Sequence, residues 1–392
     1  MSFVTSIVVA GALAGGVHMD ADAQGQPVLA WTRWTRQERV TEVADVRGGR
    51  LVGRPHRLAP ATESLDDLDV ARSGAAIACW SESRSRRSNR TQLRVATRAP
   101  GGRWTRGRVV ARLRTYADDL SCGVSDTGAA VLVWTEGRAH AIRSVAVAVD
   151  GTVGRTARLT RGLAWPTDVE VAADGTAAVG YTRPDDVVRL AHRSAAGAWS
   201  KRTFGPERGV PPELALTPAG QPVLAWRSYS GVLRMVAGPT YAPVELTTAR
   251  DVGLAAFVAG PRGDLLALTT TGASLPTAPV PVNGRRTPSA LGASIARPGA
   301  PFAPTTLLGP VSESPLEAAL AADGSGVVGW YGGSAVGARK LTVDGTWLPA
   351  VELTTTVHGQ LLLAAAPGGT VTAAWNELTG DGNEEVLRLA TF

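Results

Sequence analysis

Eight times along this chain a glycine is followed by about five mostly apolar residues and then, in most copies, a tryptophan. The copies run Gly25 to Trp31, Gly74 to Trp80, Gly128 to Trp134, Gly175 to Tyr181, Gly220 to Trp226, Gly263 to Thr269, Gly324 to Trp330 and Gly369 to Trp375. Successive glycines lie roughly 43 to 61 residues apart, mostly near 46, which is the period of a repeat built as one four-stranded sheet. Such a unit cannot bury both of its faces alone, so it must stack against copies of itself.

The second copy shows the unit most clearly. Leu68 and Val70 share one face of a short strand, and Ser73-Gly74 turns. Ala75 to Ser81 is apolar nearly throughout, as expected of a strand covered on both faces. A polar hairpin follows, Gln92 to Ala99 alternates, Pro100-Gly101-Gly102 turns, and Arg108 to Leu113 makes a fourth strand. A meander of this length is one propeller blade. The recurrent aromatic plugs the wedge between blades, worth roughly 2–3 kcal/mol per buried ring. A second signature, Gly-x-Trp, recurs at Trp104, Trp199 and Trp347 between the third and fourth strands. The expected fold is all-β: an eight-bladed β-propeller of four-stranded antiparallel blades, forming a single domain over residues 1–392. The sixth unit is the odd one, with Thr269 for the aromatic and a Pro-rich insertion from Ser274 to Pro288.

After Trp375 the chain has room for one more strand, Glu385 to Phe392, so the last blade lacks its outermost one. Phe3 to Ala10 aligns with the fourth-strand stretch Trp104 to Ala111. Residues 3–13 are therefore expected to pair with the C-terminal strand and close the ring, removing two exposed sheet edges. The rival reading of residues 1–23 is a secretory signal peptide, with apolar Ser6 to Gly16 and an Ala21-Asp22-Ala23 cleavage site. No basic residue precedes His18, and cleavage there would remove part of the first blade, so the strand is preferred.

This organisation resembles the β-propeller superfamily, particularly bacterial repeat proteins loosely related in shape to sialidase-like propellers. The WD40 signature is missing, and so is the sialidase Asp-box; Val343-Asp344-Gly345-Thr346-Trp347 is the nearest approach. The resemblance implies a fold and leaves the activity open.

The chain carries a formal net charge of +6. The basic excess, almost all Arg, sits in the first half. Such asymmetry can steer an anionic partner, and a solvated surface of mixed sign is the preferred reading. No stretch of 18 apolar residues is free of turn signals, so no membrane span is expected. The five histidines have no metal-ligand spacing, and Gly380 to Glu385 lacks the alternating oxygens of a calcium loop. No cofactor and no metal is expected.

The glycine turns and Gly-x-Trp turns fall on one face of the disc. The longer loops, between second and third strands and between blades, fall on the other, and that loop face is the expected binding face. Trp34 and Trp165 lie there outside both signatures and could stack on a sugar or anchor a peptide. Arg84, Arg86, Arg87 and Arg90 crowd one hairpin, where they could clamp an anion. No aromatics interleave with them, so nucleic acid is not the expected partner. Glu82, Glu136, Arg33 and Arg183 stand two residues beyond the motif position, a pattern that could serve glycoside hydrolysis. Cys79 and Cys122 lie on adjacent blades, as a disulfide or as two buried thiols.

The preferred functional reading is a monomeric, non-catalytic binding or scaffolding propeller recognising a glycan or a protein on its loop face. The alternative is a glycoside hydrolase or lyase of sialidase-like shape. The expected location is extracellular or at the cell surface, with the export signal absent or trimmed; an intracellular location stays open.

Overall fold

A glycine turn with φ between 68° and 92° joins the first and second strands in all eight repeats. At Gly74 and Gly128 the glycine N–H donates 2.8 Å to the carbonyl three residues earlier, a hairpin turn whose last position is left-handed and therefore favours glycine. The computed structural model describes residues 4–392 apart from 11–12, 36–38, 62–64, 84–90, 210–211, 239, 243, 248–251, 272–288, 312, 332–334, 355–356 and 379–384. Every regular element among the described residues is a strand. They form eight antiparallel sheets, each a four-stranded meander. The first blade carries an extra short hairpin at Arg50–Leu51, and the fourth has its first strand split into Trp165–Pro166 and Glu170–Val171.

The ring closes through the two ends of the chain. Val4–Ala10 lies antiparallel to Glu385–Thr391, from Val4 opposite Thr391 to Ala10 opposite Val386. Of the expected 3–13, Val4–Ala10 pairs as the closing strand and Leu13 belongs to the next one, while residues 3, 11 and 12 lie outside the described residues. The first strand of the first blade begins earlier than expected, as Leu13–Ala21 instead of Val17 to Ala23. A shift of register between Leu13 and Val17 is the reason, because it interrupts the alternation that marks a strand in sequence. First strands of neighbouring blades touch all the way round, including Leu13–Ala21 against Val357–Ala365.

Eight apolar clusters fill the eight seams between blades, and seven hold the motif aromatic. Trp80 packs on Val28, Ala30 and Val43 of the preceding blade, and Trp134 on Ile77, Cys79 and Leu93. Trp31 packs on Leu387 and Leu389, so the seam between last and first blades has the same construction as the others. Tyr181, Trp226, Trp330 and Trp375 repeat the pattern. The sixth repeat is a full blade, with strands Val252–Ala259, Leu265–Thr271, Ser289–Ala296 and Thr306–Val311. Phe257, from its first strand, takes the place of the missing ring and packs with Ala215, Val223 and Ala225 of the fifth blade.

The second and third blades are also joined covalently. Cys79 and Cys122 form a disulfide, with Cα atoms 6.3 Å apart and both residues buried. The bridge closes a loop with a sequence separation of 43, worth roughly 4 kcal/mol on the chain-entropy account. The unreduced, unfolded protein is expected to titrate no free thiol, and a reductant should lower its melting temperature. Two titratable thiols would refute the bridge.

Candidate functional site

The loop face carries the side chains singled out from sequence. Trp34, at the end of the first blade's second strand, is 51% exposed, and the Arg39 guanidinium lies 4.8 Å from the centre of its ring. Trp165 opens the fourth blade opposite Thr182 and is 40% exposed. The two tryptophans stand on different blades and are not brought together. Arg84, Arg86, Arg87 and Arg90 lie outside the described residues. Two further aromatics were missed from sequence: Tyr116, 37% exposed ahead of the third blade, and Tyr229, 62% exposed in the fifth blade's hairpin. Both precede or interrupt strands as single residues, so no periodicity marks them.

The carboxylates and arginines of the enzyme reading take part in a repeated ion pair. Glu82 pairs with Arg94, which stands opposite Trp80 on the neighbouring strand. Glu136 pairs with Arg143 at 2.7 Å, opposite Trp134, and Glu377 with Arg388 at 2.9 Å, opposite Trp375. The first blade holds the same pair with charges exchanged, Arg33 to Glu42 at 2.7 Å. Each pair ties the second strand of a blade to the third strand of that blade. Arg183 is exposed at the loop face.

The central channel holds what sequence reading did not single out. Two positions on each first strand, five and seven residues before the turn glycine, are rich in acids: Asp20, Asp67, Asp69, Asp168, Glu170, Glu213 and Glu317. A cavity of about 350 Å³ runs from mid-strand to the turn end, lined from all eight blades, with Asp20, Asp69, Glu170 and Glu317 in its wall. The innermost strand of a blade has one edge without a strand beside it, and its N–H groups need acceptors. Asp20 accepts from Val70 N–H at 2.6 Å, Asp67 from Cys122 N–H at 2.8 Å, and Asp69 from Val124 N–H at 2.6 Å. Ser121 Oγ accepts in the same way from Val169 N–H at 3.0 Å. Each of these contacts runs from one blade to the next.

Enclosure raises the proton affinity of these acids. Asp67 is pushed up to about 7, by burial first and then by repulsion from Asp168. Glu170 is pushed up to about 8 by burial and by Asp168, Asp20 and Asp67. Glu317 is pushed up to about 7 by burial. Asp20 and Asp69 share a side-chain hydrogen bond, and both are raised, chiefly by burial. Asp168 and Glu213 are raised from the same first cause. Asp20, Asp67, Asp69, Glu170 and Glu317 are half-buried, whereas Asp168 and Glu213 are exposed; the remaining surface of Asp20, Asp69, Glu170 and Glu317 faces a narrow channel and not bulk solvent. Among the described residues, only Asp67, Cys79 and Cys122 bring three ligand-type atoms within 4.8 Å of one another, and two of those atoms are the disulfide sulfurs.

No protein-family model matches this sequence, and no curated protein matches it. Solved structures match it in shape. The chain is similar to the WD40 domain of SCAP from fission yeast, with 9% identity, 99% of this chain and 98% of that one covered, and a TM-score of 0.51. It is also similar to prolyl oligopeptidase B from Galerina marginata, with 8% identity, 97% of this chain but 55% of that one covered, and a TM-score of 0.55. A protein from Lactobacillus plantarum matches at 15% identity over 84% of this chain and 96% of that one, with a TM-score of 0.50. At such identities the likeness is one of fold.

Proposed function

We propose that this protein is a non-catalytic binding or scaffolding propeller that holds a glycan or a protein partner on its loop face. One observation carries the reading. Among the described residues, all four strongly exposed aromatics, Trp34, Tyr116, Trp165 and Tyr229, belong to loop-face segments. The strongly exposed aliphatics, such as Val149 and Val343, lie at the turn face or on outermost strands. Aromatic rings at loop tips, held by a rigid scaffold, are suited to recognition. The alternative, a glycoside hydrolase or lyase of sialidase-like shape, is less well supported. Glu82, Glu136 and Arg33 belong to ion pairs that recur from blade to blade, which a structural role explains. The disulfide favours an oxidising compartment, in line with an extracellular or cell-surface location.

The test combines a broad oligosaccharide array with affinity capture from a cell-envelope extract. The double variant Trp34→Ala/Trp165→Ala is expected to lose the ligand, while the turn-face variant Val343→Ser keeps it. Loss in the turn-face variant alone, or no ligand in either assay, would sink the loop-face reading.

A further inference from the structure

At its turn-face end, the seam between the third and fourth blades lacks an ion pair that the first seam has. In the first seam Arg98, opposite Ala76 at the end of its blade's third strand, pairs with Asp45 of the preceding blade. It also donates to the Gly74 carbonyl at 3.1 Å. Asp45 stands opposite Val28, three residues after its own turn glycine. Arg193 occupies the register of Arg98, opposite Ala177, and donates in the same way to the Gly175 carbonyl at 3.2 Å. The register of Asp45 is held by Ala146, opposite Val131, which is likewise three residues after its turn glycine. Among the described residues Arg193 therefore has no carboxylate partner, and the Gly175 carbonyl is its one acceptor. Burial draws the Arg193 guanidinium below its ordinary value. A cavity of about 290 Å³ opens beside it, with Ala130, Val131, Ala146, Val147 and Val171 in its wall.

We propose that this cavity is a second binding site, apart from the loop face, for a small monocarboxylic acid with a compact aliphatic body. The ligand carboxylate takes the place that the Asp45 carboxylate has in the first seam and accepts from the remaining N–H groups of Arg193. The aliphatic body fills the space that Ala146 leaves, against alanine and valine side chains. The volume sits near the lower bound of roughly 300 Å³ for small-molecule sites, which limits the acid to a few carbons. Charge selects a monoanion. Asp174 is also in the wall; its carboxylate accepts from Thr176 N–H at 2.8 Å, and that bond holds its pKa below the ordinary value, so it stays ionised at neutral pH. One guanidinium with a carboxylate nearby is poorly matched to a dianion such as phosphate.

The decisive measurement is calorimetric titration of the full chain at pH 7 with acetate, butyrate and isovalerate. Affinity should rise about fourfold for each added carbon. Butyramide and inorganic phosphate should bind about tenfold more weakly than butyrate, or not at all. Arg193→Gln should weaken isovalerate about tenfold or more. Ala146→Asp should do the same, because it gives Arg193 the carboxylate that the first seam supplies; this second variant keeps the test open if Arg193→Gln does not fold. No saturable binding of any acid, an affinity indifferent to chain length, or binding that survives Ala146→Asp would each overturn the site. Phosphate bound as tightly as butyrate would also overturn it, leaving an unselective anion contact. The loop-face reading stands or falls separately, since Trp34→Ala/Trp165→Ala should bind isovalerate as the parent does.

Discussion

A chain lacking residues 1–10 is expected to melt about 5–10 °C lower than the full chain. The deletion removes Val4–Ala10 and with it six register pairs to Glu385–Thr391. Net hydrogen-bond contributions of about 0.5–1.5 kcal/mol each put the loss on the order of 5 kcal/mol. For a cooperative unit of this size that is a shift of several degrees. The deletion also leaves Glu385–Thr391 as an open edge, so the shortened chain should associate with itself at high concentration. A synthetic peptide of residues 1–10 should restore part of the melting temperature by adding back as a strand. An unchanged melting temperature, measured by calorimetry, would show that the closing pairs do not hold the ring.

The channel acids lead to an unusual pH profile: stability should rise as the solution is acidified from pH 8 to pH 5. Asp67, Glu170 and Glu317 have folded-state values of about 7, about 8 and about 7, all above ordinary carboxyl values. Between roughly pH 4 and pH 8 the folded chain therefore binds more protons than the unfolded chain, and its stability falls as pH rises through that window. The combined effect is on the order of a few kcal/mol, or a melting temperature at pH 5 about 5 °C above that at pH 8. Below pH 4 the direction reverses. Asp185, drawn down to about 2 by Arg189, and Asp264, drawn down by Arg262 and Arg297, lose their pairing as they take up protons. Maximum stability should thus lie near pH 4–5. Glu170→Gln should raise the melting temperature at pH 8 and flatten the slope. A wild-type melting temperature higher at pH 8 than at pH 5, unmoved by Glu170→Gln, would contradict the enclosure of these carboxyls.

The blade count was legible because each seam needs the same plug and each hairpin the same left-handed residue. Trp31, Trp80 and Trp134 recur for a reason that acts within one repeat and its neighbour. The start of Leu13–Ala21 was not legible, because its register shift breaks the alternation. Similar shifts affect the loop-side ends of Ala117–Val124, Glu313–Leu320 and Val357–Ala365. The channel acids were hidden for a different reason. Asp69 or Glu170 in a short strand reads as a solvated side, and only the closed ring turns that side into an enclosed wall. Enclosure is a property of eight blades together, whereas a sequence window sees one. The loop-face glutamates were legible as charged positions, but their partners were not, because the arginines opposite Trp80 and Trp134 that engage Glu82 and Glu136 lie on the next strand of the same sheet, which a single sequence window does not align.

The pairing of Val4 with Thr391 also sets an order of events during synthesis. Val4–Ala10 must wait, without its permanent neighbour, until Glu385–Thr391 has emerged. Seven sheets can form in turn as the ribosome advances, but the eighth depends on a contact spanning almost the full sequence. Such a step pays its loop-closure entropy late and is slow by nature. Until it happens, Val4–Ala10 is an unclaimed strand that another nascent copy could capture, and exchanged dimers are the natural by-product of crowded expression.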